Sequence, residues 1–412
     1  VVLMSARAAA DDGLLAAPKW WHAADPTEAP RLKLYNGVEL PRVGYGCAGR
    51  APADRVKTAL DAGARLLDTA QASEWYDEAA AADGLEKSGI PRGDVVVVTK
   101  LHPRDHGRKT CARKIVESAA LFGGYVDVFL QHYPACWDGL CGPKWREEVE
   151  GDWRDSWRAM EDAYEVGALK AIGVSNVDAG QLEELLGFAR VKPHVVQAWM
   201  DPFHANKQLR ETCAKHGIAF MAYSSLGTQW EAQRRPNPVF SSPELAHVAR
   251  RVSTKHRTAS VADVVMAWVV QRRAIAIPRS RSPEHIKANA QLYDDETGRL
   301  RLVLNERDLE VVDGLDNSFQ KAPANDEEVA ATFENEGDEA VHLFWKPPGG
   351  GVPVKVGELA PKGGERVTIS TYRGHSFVAK LARGGEAFQT LVVSRPGALT
   401  FLVRDPEAGP DL

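Results

Sequence analysis

Three short apolar runs each end in one ionisable residue: Arg65-Leu-Leu-Asp68, Val95-Val-Val-Val-Thr-Lys100 and Val128-Phe-Leu-Gln-His132. The terminal residues stand 32 positions apart each time. An acid, a base and an imidazole therefore recur at one interval, each where a buried strand should stop. A parallel barrel assembles a catalytic site on one rim in this way. The pattern constrains fold and chemistry together.

Eight such runs occur, at 43–46, 65–70, 95–100, 126–132, 171–176, 195–199, 219–224 and 274–280. Amphipathic stretches such as 153–167 and 261–272 lie between them. Near-continuous apolar strands alternating with helices imply a parallel sheet covered on both faces. Eight units predict an α/β fold, a closed (β/α)8 TIM barrel, rather than an open doubly wound sheet. Gly44-Tyr-Gly46 lacks the third glycine and the helix start of a dinucleotide-binding turn. Ahead of the barrel, residues 32–40 alternate around Asn36-Gly37, a hairpin signal.

The barrel should span 32–320, after an Ala-rich N-terminal extension at 1–31. Residues 321–328 are polar, with Pro323 and several acids, and read as a linker. Beyond it the period changes. Stretches at 330–344, 352–356, 365–371, 376–380 and 391–403 read as strands between Gly and Pro turns. They predict a small all-β sandwich at 329–404, followed by a polar tail at 405–412.

Composition narrows the function. The chain has 412 residues, 44% hydrophobic and 26% charged, with a formal net charge of −5. That is ordinary for a globular protein. No basic stripe argues for nucleic acid. No apolar run reaches the roughly 18 residues of a membrane span. Five cysteines, an odd and sparse set, read as thiols of a reducing, cytoplasmic compartment. The chain starts at Val1, so removal of a targeting peptide stays open. Cys136 and Cys141 are the pair from which a redox-sensitive disulfide is open. His102 and His106 have ligand-like spacing, but Pro103 breaks the helix that would align them. They read as loop histidines, and no metal is expected.

Residues 32–320 resemble the aldo-keto reductases. The resemblance rests on ordered pieces: Asn36-Gly-Val-Glu-Leu-Pro41, Leu67-Asp-Thr-Ala70, Ser88-Gly-Ile-Pro-Arg92, Thr99-Lys100, Gln131-His-Tyr-Pro134, Gly173-Val-Ser-Asn176, Ala222-Tyr-Ser-Ser-Leu-Gly227 and Ile277-Pro-Arg-Ser280. It implies reduction of an aldehyde or ketone by NADPH, with a tyrosine as proton donor. A free tyrosine has a pKa near 10. A lysine cation is expected to lower it, a carboxylate to hold the lysine, and a histidine to orient the carbonyl oxygen. Lys100, Asp68 and His132 match these three roles. The family places the tyrosine five residues after the aspartate, where this chain has Ser73. Anchoring on Ser88-Gly-Ile-Pro91 moves the position to Trp75 or Tyr76, and only the phenol of Tyr76 can act as the acid.

The same resemblance assigns cofactor positions. Gly46 and Cys47 close the first strand. Ser175, Asn176 and Gln197 match the carboxamide contacts, and Tyr223 the ring that stacks on the nicotinamide. Ser224 and Leu226 match pyrophosphate contacts. Ile277, Arg279, Ser280 and Ser282 lie where the family grips the 2′-phosphate and ribose. Arg279 favours NADPH, with NADH as the alternative. His285 stands where the family has a second arginine, and Asn289 matches the adenine contact. Trp75, Trp137 and Trp230 are candidates to wall an aromatic, apolar substrate pocket.

The C-terminal residues Thr332-Phe333-Glu-Asn335, Val341-His-Leu-Phe-Trp345, Gly357-Glu-Leu-Ala-Pro-Lys-Gly363 and Thr371-Tyr-Arg-Gly-His-Ser-Phe377 resemble the β domain of the von Hippel–Lindau protein. That family recognises a hydroxyproline peptide. Trp345, Thr371, Tyr372 and His375 fall on or near its pocket, with Phe377 and Val356 as departures. The expectation is a carbonyl reductase acting on a small molecule, with a β domain for a protein or peptide partner. The competing expectation is a weakly active barrel serving as a scaffold.

Overall fold

In the computed structural model, each of the eight apolar runs forms a strand. The structure describes residues 25–255 and 257–319 and, further on, 329–336, 338–346, 354–361, 366–371, 376–383, 389–392 and 399–403. A hairpin comes first, β1 (Arg31–Lys33) antiparallel to β2 (Glu39–Pro41). Its turn uses Gly37 at φ +91°, a conformation glycine adopts without penalty. The parallel strands follow: β3 (Tyr45–Gly46), β4 (Leu66–Asp68), β5 (Val96–Leu101), β6 (Val128–Gln131), β7 (Ile172–Ser175), β8 (Val195–Trp199), β9 (Ala219–Tyr223) and β10 (Ile275–Ala276). From β4 to β10 each pairs with its predecessor. A parallel bridge between Val43 and Ala276 joins the last strand to the first. Gly44 N donates to Ala276 O at 2.8 Å and Gly46 N to Pro278 O at 3.0 Å. The sheet is thereby closed.

Alternation along the strands sorts side chains into two cores. Leu66, Val96, Val98, Val128, Leu130, Val195, Met221 and Ile275 fill the barrel interior, with Leu32, Leu34 and Leu40 of the hairpin among them. Leu67, Val95 and Val97 face the other way, against Val56, Leu60, Ala81 and Leu85 of the outer helices. Gly173 leaves no room for a side chain between strands. A Cβ there would stand 2.0 Å from Val195 O. The expected helix at 153–167 is Trp153–Glu165, opened by a capping box of Asp152 and Asp155.

The chain divides into two compact units. The barrel strands lie in the unit made of residues up to 226 and 247–314. Residues 227–246 group instead with those from 315 onward. The second unit contains β11 (Val329–Asn335), β12 (Val341–Lys346), β13 (Val354–Leu359), β14 (Val367–Thr371), β15 (Ser376–Leu381), β16 (Gln389–Val392) and β17 (Leu399–Val403). These form a three-stranded sheet in the order β14-β11-β17 and a four-stranded sheet in the order β13-β12-β15-β16. Phe333, Leu343, Leu359, Phe377 and Val403 share one core. The sequence stretches 330–344 and 391–403 each fall into two strands, β11 with β12 and β16 with β17. Most of the N-terminal extension, the linker at 321–328 and the tail at 405–412 lie outside the described residues. Among the described residues, no helix is long and apolar enough to cross a membrane.

Candidate active site

Strand parity aims the three ionisable residues inward. Leu66, Val98 and Leu130 point into the barrel, so Asp68, Lys100 and His132, two residues further on, point into its mouth. Register explains the interval of 32. Asp68 pairs with Val98, and Lys100 with Leu130. Each residue therefore stands two places above its neighbour, climbing with the stagger that barrel closure requires. The same parity applies to Ser175 above Ala171, Gln197 above Val195 and Tyr223 above Met221.

Lys100 and Asp68 are 0% and 2% exposed, with Nζ 2.8 Å from Oδ1. Lys100 also donates to Thr69 O at 2.8 Å. Gln197 Nε2 donates to the same Asp68 oxygen at 2.7 Å. A pair so far from water persists only with such added hydrogen bonds. The Lys100 ammonium sits 4.8 Å from the ring centroid of Tyr76. Tyr76 also meets His132 edge-on, with centroids 5.8 Å apart.

Tyr76 reaches this place through a pinned loop. Trp75 O accepts from Gly49 N at 2.8 Å and Arg50 N at 2.9 Å. Glu74 pairs with Arg104 beyond β5. The Asp77 side chain caps the helix Glu78–Ser88. Ser73 is exposed on the same loop. Burial first, and then the Asp68 charge, hold the Tyr76 phenol well above its ordinary value. Two of the three Lys100 N–H bonds go to Asp68 and Thr69. The proton therefore stays on Tyr76.

His132 is held neutral. Burial pushes its pKa well below the usual range, and the Lys100 charge adds to this. Its Nδ1 is sealed from solvent without a partner. A buried N–H left unpaired costs more than an unpaired lone pair. The single proton therefore belongs on Nε2, which makes that atom a donor. His102 and His106 support the site from outside. His102 Nδ1 accepts from Arg104 N at 3.1 Å. His106 lies 2.9 Å from Ser156 Oγ and 3.0 Å from Tyr133 O. Burial lowers both pKa values to about 4. Among the described residues, no group of three or more His, Cys, Asp or Glu is placed to hold a metal ion.

The expected cofactor residues line the same rim. Asn176, at φ 57°, is engaged at both ends: its Nδ2 donates to His132 O at 2.9 Å, and its Oδ1 accepts from Tyr223 OH at 2.7 Å. Ser175 is buried beside it, and Ser224 is also left-handed, at φ 53°. Leu226 is half-buried. Gly46 lies against Ile277 O, and Cys47 is a buried free thiol. Arg279 is exposed, lies over Gly49 and pairs with no carboxylate among the described residues. Ser280 Oγ accepts from Ser282 N at 3.1 Å. Ser282 caps the helix Pro283–Ala290, which carries His285 exposed and Asn289 half-buried. A guanidinium that reaches only the Ala48 carbonyl, at 3.5 Å, and lies beside glycine backbone suits a phosphate-bearing nicotinamide cofactor.

Aromatic rings continue outward from His132. Trp75 stands edge-on to it at 5.8 Å. Tyr133 lies 5.0 Å from His132 and 5.1 Å from Trp137. Sequence reasoning missed Tyr133, although it directly follows His132. Trp230 is a correction. It belongs to the other unit and is fully buried, edge-on to Phe319 at 5.1 Å and under Arg235. It presents no face to a ligand. The disulfide left open in the sequence is present. Cys136 and Cys141 form a disulfide, while Cys47, Cys111 and Cys213 are free and buried. Trp345 is half-buried on β12, opposite Phe377 of β15. Tyr372, His375 and the Thr371 side chain lie outside the described residues.

Residues 50–301 match the Aldo/keto reductase family. The glyoxal reductase of Bacillus subtilis (strain 168) is 31% identical over 301 residues, 72% of this chain and 96% of that protein. The 9,11-endoperoxide prostaglandin H2 reductase of Trypanosoma cruzi (strain CL Brener) is 32% identical over 268 residues, 64% of this chain and 86% of that one. Among solved structures, an aldo/keto reductase from Brucella melitensis shares 30% identity at a TM-score of 0.58, covering 70% of this chain and 100% of that chain. A Bombyx mori aldo-keto reductase in complex with NADP shares 26% identity at a TM-score of 0.60, over 70% of this chain and 94% of that one.

Proposed function

From the premise that the chain belongs to the aldo/keto reductase family, we propose that it reduces an aldehyde or ketone to an alcohol with Tyr76 as the proton donor. Membership makes it an NAD(P)H-dependent oxidoreductase. The observation that carries the residue assignment is the buried Asp68–Lys100 pair beneath the Tyr76 ring, with a neutral His132 alongside.

When bound, the reduced nicotinamide supplies the hydride. The chain's residues handle the oxygen. His132 Nε2–H donates to the carbonyl oxygen and fixes its direction. Tyr76 gives its proton to that oxygen as negative charge develops there. Lys100, held by Asp68 and Thr69 O, offsets the phenolate left behind. Gln197 Nε2 keeps the Asp68 oxygen in place. Gln197 Oε1 and the Ser175 hydroxyl would hold the carboxamide, with Asn176 anchoring Tyr223 beneath the ring. Arg279, Ser280, Ser282, His285 and Asn289 would hold the adenosine phosphate end. Arg279, which pairs with no carboxylate among the described residues, supports NADPH over NADH.

Oxidation of NADPH, followed at 340 nm across a panel of aldehydes and ketones, tests the reading. Tyr76→Phe should lower kcat by about 10²–10⁴-fold and still quench on binding NADPH. Equal turnover by Tyr76→Phe and wild type refutes the assignment.

For residues 329–404 we take a von Hippel–Lindau-like sandwich that docks a protein or peptide. Two small sheets around one apolar core support this. Negligible capture of both hydroxylated and plain proline peptides would count against it.

A further inference from the structure

The loop after β6 carries a disulfide that takes no part in the proton transfer. Cys136 and Cys141 bracket Trp137, which is 46% exposed. Trp137 O accepts from Leu140 N and Cys141 N, both at 2.9 Å. A Cβ on Gly139 would stand 3.3 Å from the indole Cδ1 and Nε1, so glycine leaves the ring room to lie against the short helix Asp138–Cys141. That helix has four residues. Isolated helices below about 12–15 residues are marginal in water. Backbone hydrogen bonds alone therefore hold Trp137 weakly, and the covalent bridge supplies the rest.

The ring has a direction as well as an anchor. Trp137, Tyr133 and His132 form a chain of contacts at 5.1 Å and 5.0 Å, and Trp75, 38% exposed, stands beside it. Two of these rings are large, apolar and partly bare at the mouth of the site, as in a binding surface rather than a core. Nearby charges are paired to one another, Arg146 with Asp138 and Arg104 with Glu74. A flat, uncharged aromatic carbonyl compound fits these walls.

We propose that Trp137 is a specificity-determining wall of the substrate subsite and that the Cys136–Cys141 disulfide is its redox-sensitive clamp. This rests on the carbonyl-reductase reading above. The oxidised loop presents the indole to an aromatic substrate, and the reduced loop releases it. A dithiol reductant performs the switch. Its thiolate attacks the sulfur of Cys141, the less buried of the two residues, and the S–S bond breaks with Cys136 leaving as thiolate. The reductant's second thiol then displaces Cys141, and the reductant leaves as a disulfide. Two electrons and two protons pass to the cysteines. A disulfide oxidant such as oxidised glutathione reverses the exchange. Cys47, Cys111 and Cys213 are sealed in the core and do not compete.

The test compares full-length wild type before and after dithiothreitol, with 2-naphthaldehyde and propanal as substrates. Reduction should expose two fast-reacting thiols to a colorimetric thiol reagent. It should raise KM for 2-naphthaldehyde by about tenfold, about 1.4 kcal/mol, and leave propanal unchanged. Cys136→Ser/Cys141→Ser should sit at the reduced value and ignore dithiothreitol. Trp137→Ala should abolish the redox difference. Two new thiols with an unchanged KM for 2-naphthaldehyde would overturn the proposal. Propanal turnover tests the reductase reading separately. Should both substrates fail to turn over, equilibrium dialysis of 2-naphthaldehyde decides: equal binding to the oxidised and reduced forms overturns the clamp, and weaker binding to the reduced form supports it.

Discussion

Asp68→Asn isolates the charge at the centre of the site. The substitution keeps shape and leaves an amide oxygen to accept from Lys100 and Gln197. It removes the counter-ion of an ammonium that has no exposed surface. Breaking a buried pair by removing one partner costs about 3–5 kcal/mol, against about 5–15 kcal/mol for a typical native protein. For a domain of this size each kcal/mol lowers Tm by about 2 °C, at the low end of the usual range. The barrel transition should therefore fall by about 6–10 °C at pH 7. Asp68→Leu/Lys100→Met removes both charges. Such replacements are often neutral or stabilising by about 1–4 kcal/mol, so the double variant should melt at or above wild type with no turnover. Thermal melts by circular dichroism, paired with NADPH oxidation, read both quantities. A melt of Asp68→Asn within about 2 °C of wild type, or a double variant less stable than either single one, would refute the reasoning.

Arg279→Ala should weaken NADPH binding by about 10–100-fold, the worth of one charged hydrogen-bonding partner, and change NADH binding little. Titration of NADPH fluorescence quenching measures both. Burial depresses the pKa values of His102, His106 and His194 to about 4, and that of His132 well below its ordinary value. Below about pH 6.5 an unfolded histidine is protonated while these stay neutral. Unfolding then takes up protons, so stability falls as pH drops from about 6.5 toward 4, by up to about 1.4 kcal/mol per pH unit for each histidine. Urea midpoints at pH 7.5, 6 and 5 check this, and a flat profile would contradict it. Gly173→Ala should destabilise the barrel by at least the roughly 1–3 kcal/mol of ordinary overpacking, since its Cβ would press on backbone at Val195 O. A wild-type urea midpoint would show that the strands can part at that point.

The sequence by itself determined what is local. Runs of β-branched and apolar residues specified eight strands, and the amphipathic stretches between them specified helices. Asn36-Gly37 specified a hairpin, and the interval of 32 placed Asp68, Lys100 and His132 at strand ends. These follow from covalent spacing and from the two side-chain periods, so no distant contact is needed to read them. Tertiary structure decided what depends on closure. Stagger between neighbouring strands lifts each ionisable residue two places above the last, which the linear spacing hides. The Tyr76 ring meets Lys100 because Gly49, Arg50 and Arg104, from two other loops, hold Trp75 and Glu74. The direction of the Tyr76 pKa follows from burial, which composition does not encode. Trp230 reads like Trp75 and Trp137 in sequence, yet packing on Phe319 buries it. Cys136 and Cys141 left a disulfide open in the sequence, and the loop with its four-residue helix brings their sulfurs together. In each case the deciding contact joins residues whose neighbours along the chain carry no mark of it.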